Sequence, residues 1–423
     1  MRTGLWRNRD FMKLWVGETV SLFGSQFTQL ALPLTAVLFL QATPLQMGIL
    51  GACGFAPFIL LSLFAGVWID RSKRRPILIA ANLGKAGLLI LIPVLHLLNL
   101  LRIELLYAIG FLDGALSVFF QLAYQSYLPS LVNKEDLLEG NSKLQASASV
   151  AQVGGLGIAG VLINLFTAPI VLMIDAATYL FSSVSLMLIQ KAEPSPSPSS
   201  TRKNIGHDIK EGFQTVIRNP YLRSIAGEAA TFNFFSQMIS TLLILYWSTE
   251  LGIGKVMIGL FMTALSIGSL LGSLMAGAAA RKLGLGNAIV FSMAAACLTP
   301  LLFPAVSGPS PLYVSLLIAA LLLNGLGVSM SNIHGVSLRQ TVTPERLLGR
   351  MNASYRFFVS GVIPVGAFLG GVLGDWIGIR PTLFLAATGL LGALLIIVVS
   401  PIPGLRQLPI MPAQQQPDSG ARV

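Results

Sequence analysis

Residues 47–69 carry no charged side chain, and from Ile77 to Leu101 the only charge is Lys85. Between these runs stands Gly66-Val67-Trp68-Ile69-Asp70-Arg71-Ser72-Lys73-Arg74-Arg75-Pro76, with four cations in five residues. Each apolar run is long enough to cross the ~30 Å hydrocarbon core of a bilayer as a helix. The cations cannot sit in that core, so the loop lies in water, and the positive-inside rule makes that side cytoplasmic. A chain with this pattern folds in a membrane.

The rest of the sequence repeats the pattern. Hydrophobicity in bilayer-sized windows gives about twelve spans, near 14–40, 46–69, 77–99, 104–128, 143–165, 169–190, 219–247, 256–279, 287–306, 312–337, 349–374 and 380–401. Composition agrees: 54% of residues are hydrophobic and 11% charged, where a soluble domain has about 25% charged. Of the 28 Lys and Arg, only Arg102, Lys255 and Arg380 fall in outer loops, each near an acid (Glu104, Glu250, Asp375). Lys85 and Arg356 fall near the inner ends of spans three and eleven, from which they can snorkel to water. The remainder sit on the cytoplasmic side, and an even span count puts both termini there. The net charge of +11 therefore belongs to loops and implies no nucleic-acid partner. Cys53 and Cys297 lie inside apolar runs, so neither a disulfide framework nor a metal cluster is expected. The polar start MRTGLWRNRDFMK leads into a long apolar segment, and no cleaved signal peptide is expected.

Between spans six and seven, Glu193-Pro194-Ser195-Pro196-Ser197-Pro198-Ser199-Ser200 reads as an exposed tether. After it, Ile205, Ile209, Phe213, Val216 and Ile217 recur at helical spacing, predicting a short amphipathic helix on the cytoplasmic surface. The expected domains are a six-helix bundle over 1–190, a linker over 191–217, a second bundle over 218–402 and a disordered tail over 403–423. The halves resemble each other. A shift of about 211 positions brings Arg7-Asn8 onto Arg218-Asn219, Ser25-Gln26 onto Ser236-Gln237, Gly48 onto Gly259 and Gly66 onto Gly277. The same shift brings Asp113-Gly114 onto Asn324-Gly325, Gly155 onto Gly366 and Gly160 onto Gly371. At one position less, Gly17-Glu18 meets Gly227-Glu228. Six spans, a tether and six spans in the same orientation make a parallel repeat.

On these grounds the chain resembles the major facilitator superfamily, and within it the macrolide-efflux and siderophore-export branch of drug exporters. The loop Gly66-x-x-x-Asp70-Arg71-x-x-Arg74-Arg75 matches the superfamily's signature between spans two and three. Arg7-Asn8-Arg9-Asp10-Phe11-x-x-Leu14-Trp15 and Glu211-Gly212-Phe213-x-x-x-x-Arg218-Asn219-Pro220 look like that branch in particular. So do Leu128-Pro129-x-Leu131-Val132, Asp175 and Pro364-x-Gly366-x-x-x-Gly370-Gly371. Two positions depart from the pattern. The Gly-Pro pair usual in span five reads Gly155-Leu156, and the basic residue usual in span four is Asp113.

The resemblance implies an all-α membrane protein, twelve helices in two six-helix bundles, with spans one, four, seven and ten lining a central cavity. It implies that Asp70, with Gly66, Arg71, Arg74 and Arg75, latches the halves on the cytoplasmic side, although these cations also suffice to set topology. The latch is one-sided, because its counterpart Arg281-Lys282 lacks an acid. Asp113 lies about nine residues into span four, near the bilayer midplane, with Asn324 at similar depth in span ten. Both are candidates for substrate or proton contact, against a plain helix–helix hydrogen bond. Gln26, Gln29, Gln121, Tyr124, Asn233, Gln237, Asn332 and His334 are further polar candidates for the cavity, each alternatively a packing contact. Glu18 and Glu228 are possible gate pairs at the inner ends of spans one and seven, alternatively paired with loop cations such as Arg7 or Arg223. Asp175 reads as structural. Gly155-x-Gly157-x-x-Gly160 spells a dinucleotide fingerprint, but inside an apolar span it reads as close helix packing, as does the ladder Gly366, Gly370, Gly374, Gly378.

The function expected is secondary export of amphiphilic drugs or metabolites, macrolides included, by alternating access with proton antiport. Asp113 is the first choice for the protonatable group. A siderophore exporter or a lysophospholipid transporter of the same fold is the alternative. A membrane enzyme or a non-transporting receptor would need a catalytic constellation or a sensing domain, and the longest polar segment is the tether. Expected partners are a small amphiphile, protons and lipid. Neither a catalytic group, a cofactor nor a metal is expected, and the protein is expected as a monomer of the cell membrane with both termini cytoplasmic.

Overall fold

A computed structural model describes residues 5–70, 72–133, 136–191, 193, 205–305, 310–344 and 347–406, excepting the side chains at 63, 66, 67, 70, 138 and 205–209. The described residues form helices α1 (Arg9–Leu40), α2 (Pro44–Asp70), α3 (Arg74–Leu97), α4 (Ile103–Leu131), α5 (Leu137–Phe166), α6 (Ala168–Met187) and α7 (Ile205–Arg218). They continue with α8 (Pro220–Leu245), α9 (Lys255–Leu283), α10 (Leu285–Leu298), α11 (Pro311–Thr341), α12 (Leu348–Gly361), α13 (Ile363–Ile377) and α14 (Ile379–Val398). Among the described residues, twelve segments are long and apolar enough to cross a membrane. Helices are what lipid permits, because they satisfy every backbone group within the segment.

Three spans are not simple helices. Span seven extends α8 by a π-helical turn, Tyr246–Glu250, and span nine extends α10 by a 3-10 turn, Thr299–Leu302. Span eleven, expected as one helix, is broken into α12 and α13 around Val362. Pro364 is the cause: it has no N–H to give Ser360, and its ring disfavours helical backbone at the residue before it.

The duplication is visible in the packing. α1 packs on α5 and α6, α2 on α4, and α3 on α4 and α6; one repeat on, α8 packs on α13 and α14, α9 on α11, and α10 on α11 and α14. Local details recur too. Asn8 caps α1 by accepting from Asp10 N and Phe11 N, and Asn219 caps α8 by accepting from Tyr221 N and Leu222 N. One-residue corners join α5 to α6 at Thr167 (φ 77°, ψ 153°) and α13 to α14 at Gly378 (φ 95°, ψ 158°).

α7 is docked on span eleven. Glu211 pairs with Arg350, and Phe213 packs on Phe357 and Phe358, with ring centroids 6.0 and 4.6 Å away. Gly212 is where α7 touches the Arg350 carbonyl and Ser354, leaving no room for a side chain. Residues 194–204 of the expected tether and 407–423 of the expected tail lie outside the described residues. The tail reading is corrected at its start: residues 403–406 turn back onto α10, whose Leu285 N and Gly286 N donate to the carbonyls of Arg406 and Leu405 at 3.3 and 2.7 Å. These carbonyls satisfy the open N–H groups of the helix start.

Candidate transport pathway

The two halves meet at four glycines. A Cβ on Gly371 of α13 would lie 2.7 Å from Gly48 Cα of α2, and one on Gly259 of α9 would lie 2.9 Å from Gly160 Cα of α5. The repeat relates Gly48 to Gly259 and Gly160 to Gly371, so one crossing is the symmetry mate of the other. Both lie toward the end of the bundle opposite the chain termini. The glycine motifs thus serve helix approach: Gly155 against Gln26, Gly157 against Thr263, and Gly366, Gly370 and Gly374 against Phe234, Met238 and Leu242 of α8.

Inside the first half is a buried ionic cluster. Lys85 sits midway along α3, 8% exposed, which corrects its expected place at the membrane surface. Its ammonium lies 3.9 Å from Asp113 on α4 and 3.4 Å from the Tyr179 hydroxyl on α6. Behind it Asp175, fully buried, accepts hydrogen bonds from the hydroxyls of Thr28 and Thr178. Asp113 is the open side of the pair, its side chain 29% exposed against 10% for Lys85. With Gln121, Leu50 and Phe58 it lines a cavity of about 300 Å³ beside α2 and α4. Glu18 lies within electrostatic reach of Lys85 rather than of Arg7.

In the second half the repeat mates make a neutral version of the pair. Asn324 donates to the carbonyl of Ala296 at 2.8 Å, and Ala296 is the position matching Lys85. A second cavity, of about 320 Å³, opens between α8, α10, α11 and α12. Glu228, Asn233, Asn332, Arg339 and Tyr355 line it. The charge acting on Glu228 is Arg339, not the expected Arg223. The span expected near 312–337 leaves Arg339 beyond its end; α11 runs to Thr341 and carries it into the wall.

The other candidates scatter. Asn233 lines the second cavity and donates to the Val359 carbonyl at 3.0 Å. Gln237 reaches Thr241 at 3.4 Å, and Gln29 is exposed. Gln26 Oε1 and Tyr124 OH are buried without hydrogen-bond partners, Tyr124 stacking on Phe120. His334 is 3% exposed, and its Nε2 bonds the Ala276 carbonyl of α9 at 3.0 Å, so it faces a packing interface.

Of the signature loop, Arg71, the side chain of Asp70 and the surroundings of Gly66 lie outside what the structure describes. Arg74 and Arg75 are engaged within their own half. Glu193 Oε1 and Oε2 accept from their backbone N–H groups at 2.7 and 3.1 Å, capping α3. The Arg75 guanidinium donates to the Leu186 carbonyl at 2.8 Å and to Met187, capping α6.

A sequence profile described as transmembrane secretion effector, a family of major facilitator transporters, matches residues 4–420. The chain belongs to this family. Similar members include the MFS-type transporter YfiS of Bacillus subtilis (25% identical, covering 90% of each chain). Macrolide efflux protein A of Streptococcus pyogenes is 21% identical over 89% of this chain and 92% of its own. The enterobactin exporter EntS of Escherichia coli is 24% identical over 94% of both. Among solved structures, the nucleoside transporter NupG superposes with a TM-score of 0.74 at 12% identity, over 92% of this chain and 98% of its own. A bacterial homologue of the iron transporter ferroportin, facing inward, gives 0.69 at 18%, over 93% and 98%. These last two share the fold. The secretion-effector family thus supplies the major facilitator architecture that the paired bundles display.

Proposed function

We propose that this transporter exports amphiphilic drugs or metabolites from the cytoplasm across the cell membrane by proton antiport, as a monomer with both termini inside. The observation that carries the reading is Asp113, a carboxylate at mid-span that faces a cavity on one side and Lys85 on the other. Proton-driven export needs an acid whose surroundings differ between two access states. Protonation of Asp113 leaves Lys85 to its existing contact with Tyr179 and to the carboxylate of Asp175 behind it, so one proton alters the packing of α3, α4 and α6. The glycine crossings belong to the state closed at the outer end; rocking the halves parts them and brings the signature loop, with Asp70, against the second half. The efflux relatives support the direction of transport, and the largely apolar cavity walls support the cargo class.

The test is dye efflux in inside-out vesicles with and without an imposed pH gradient. Wild-type protein should pump only with the gradient. Asp113→Asn should insert normally and lose gradient-driven transport, and a variant that pumps like wild type would remove Asp113 from the coupling step.

A further inference from the structure

The cavity of the second half has an acid on one wall and a guanidinium on another. Glu228, from α8, is 8% exposed. Arg339, from α11, lays its guanidinium 3.6 Å from the Tyr355 ring centroid, and its Nε is buried without a hydrogen-bond partner. Among the described residues no ion pair within 4.0 Å joins the two, nor does either pair elsewhere. Asn233, also in the wall, donates an amide N–H to the Val359 carbonyl. Charged groups held inside a membrane protein are costly unless paired. Here the aromatic stacking on Tyr355 holds Arg339 in place without supplying a hydrogen-bond acceptor.

The arrangement is peculiar to this half. At the 211-position shift Arg339 falls on Leu128 and Tyr355 on Leu144, both buried apolar residues; at one position less Glu228 falls on Glu18. A ligand carrying one charge leaves the opposite wall unpaired in a confined space. A ligand carrying both satisfies the two walls together. We infer that this cavity is a dipolar slot for a small zwitterion, its ammonium on Glu228 and its carboxylate on Arg339. The volume of about 320 Å³ lies at the lower end of ligand pockets, ~300–1,000 Å³. It suits an amino-acid or dipeptide-sized group, either a whole cargo or the head of a larger amphiphile. The inference rests on the transport reading above and narrows its substrate class.

Purified full-length protein in detergent should be tested for binding of radiolabelled L-phenylalanyl-L-phenylalanine, its N-acetyl derivative (anion only) and its methyl ester (cation only). The zwitterion should bind at least tenfold more tightly than either blocked form. Glu228→Gln should abolish the advantage over the N-acetyl form, and Arg339→Gln the advantage over the ester. Equal affinities for the three probes, or binding of none, overturns the inference, and this wild-type ranking decides even where a variant does not fold. A ranking unchanged in both folded variants overturns it too. Gradient-driven dye efflux is read separately. Pumping without the zwitterion preference sinks the slot and leaves the exporter; the preference without pumping does the reverse.

Discussion

Lys85 and Asp113 face each other at 3.9 Å between α3 and α4. Their duplicated positions, Ala296 and Asn324, are joined by an amide-to-carbonyl hydrogen bond of 2.8 Å between α10 and α11. One helix pair thus holds its mid-span tie by charge and the other by a neutral bond. Of these two ties only the charged one can respond to a proton, which is why the proposed coupling is placed in the first half.

Lys85→Ala should destabilise the protein by about 1–3 kcal/mol. That is below the ~3–5 kcal/mol of breaking a fully buried pair, because Asp113 is 29% exposed. Adding Asp113→Asn copies the Ala–Asn arrangement of the second half and should restore most of the loss. Thermal unfolding in detergent of the two single variants and the double variant measures the coupling. A Lys85→Ala protein as stable as wild type would remove the ionic tie from the account.

Gly371→Val or Gly160→Val should each cut transport tenfold or more, because the added carbons meet backbone on the partner helix, with Cβ 2.7 and 3.0 Å from a glycine Cα. Overpacking of this kind costs about 1–3 kcal/mol, and only in the state closed at that end. Cysteine accessibility at the end opposite the chain termini should rise. Gly87→Val, where a Cβ meets nothing within 4 Å, is the control and should transport normally.

Arg350→Ala should loosen α7 while leaving global stability within about 1 kcal/mol, since a partly exposed pair contributes little; the Arg350 and Glu211 side chains are 33% and 25% exposed. Limited proteolysis of the linker should quicken several-fold. The exchange Glu211→Arg with Arg350→Glu should slow it again.

Thr167→Gly should stabilise the protein by about 1 kcal/mol, measured as a rise in melting temperature. Thr167 holds φ at 77°, a strained conformation for a β-branched residue that glycine adopts freely, and the equivalent corner already uses Gly378. Unchanged or lower stability would show that the Thr167 side chain contributes more than its backbone costs.

The twelve spans, the helix after the tether and the glycine approaches are legible in the sequence, and the capping Asn8 and Asn219 stand out there only as a repeated Arg-Asn pair. Each depends on a local property: hydropathy summed over a window, a side chain beside its own helix end, or a missing side chain. The break in span eleven was within reach through Pro364. The partners of Lys85 and Arg339 were not. In water an apolar stripe marks the face a helix buries, but lipid is as apolar as a protein interior. Phe64 at 74% and Trp376 at 81% exposure look in sequence like any core residue. Hydropathy therefore determined that the chain crosses the membrane and how often, and the residues matched at a shift of about 211 positions that it does so in duplicate. Which charges meet inside it depends on how helices distant in sequence turn toward one another, and only the tertiary packing decided that.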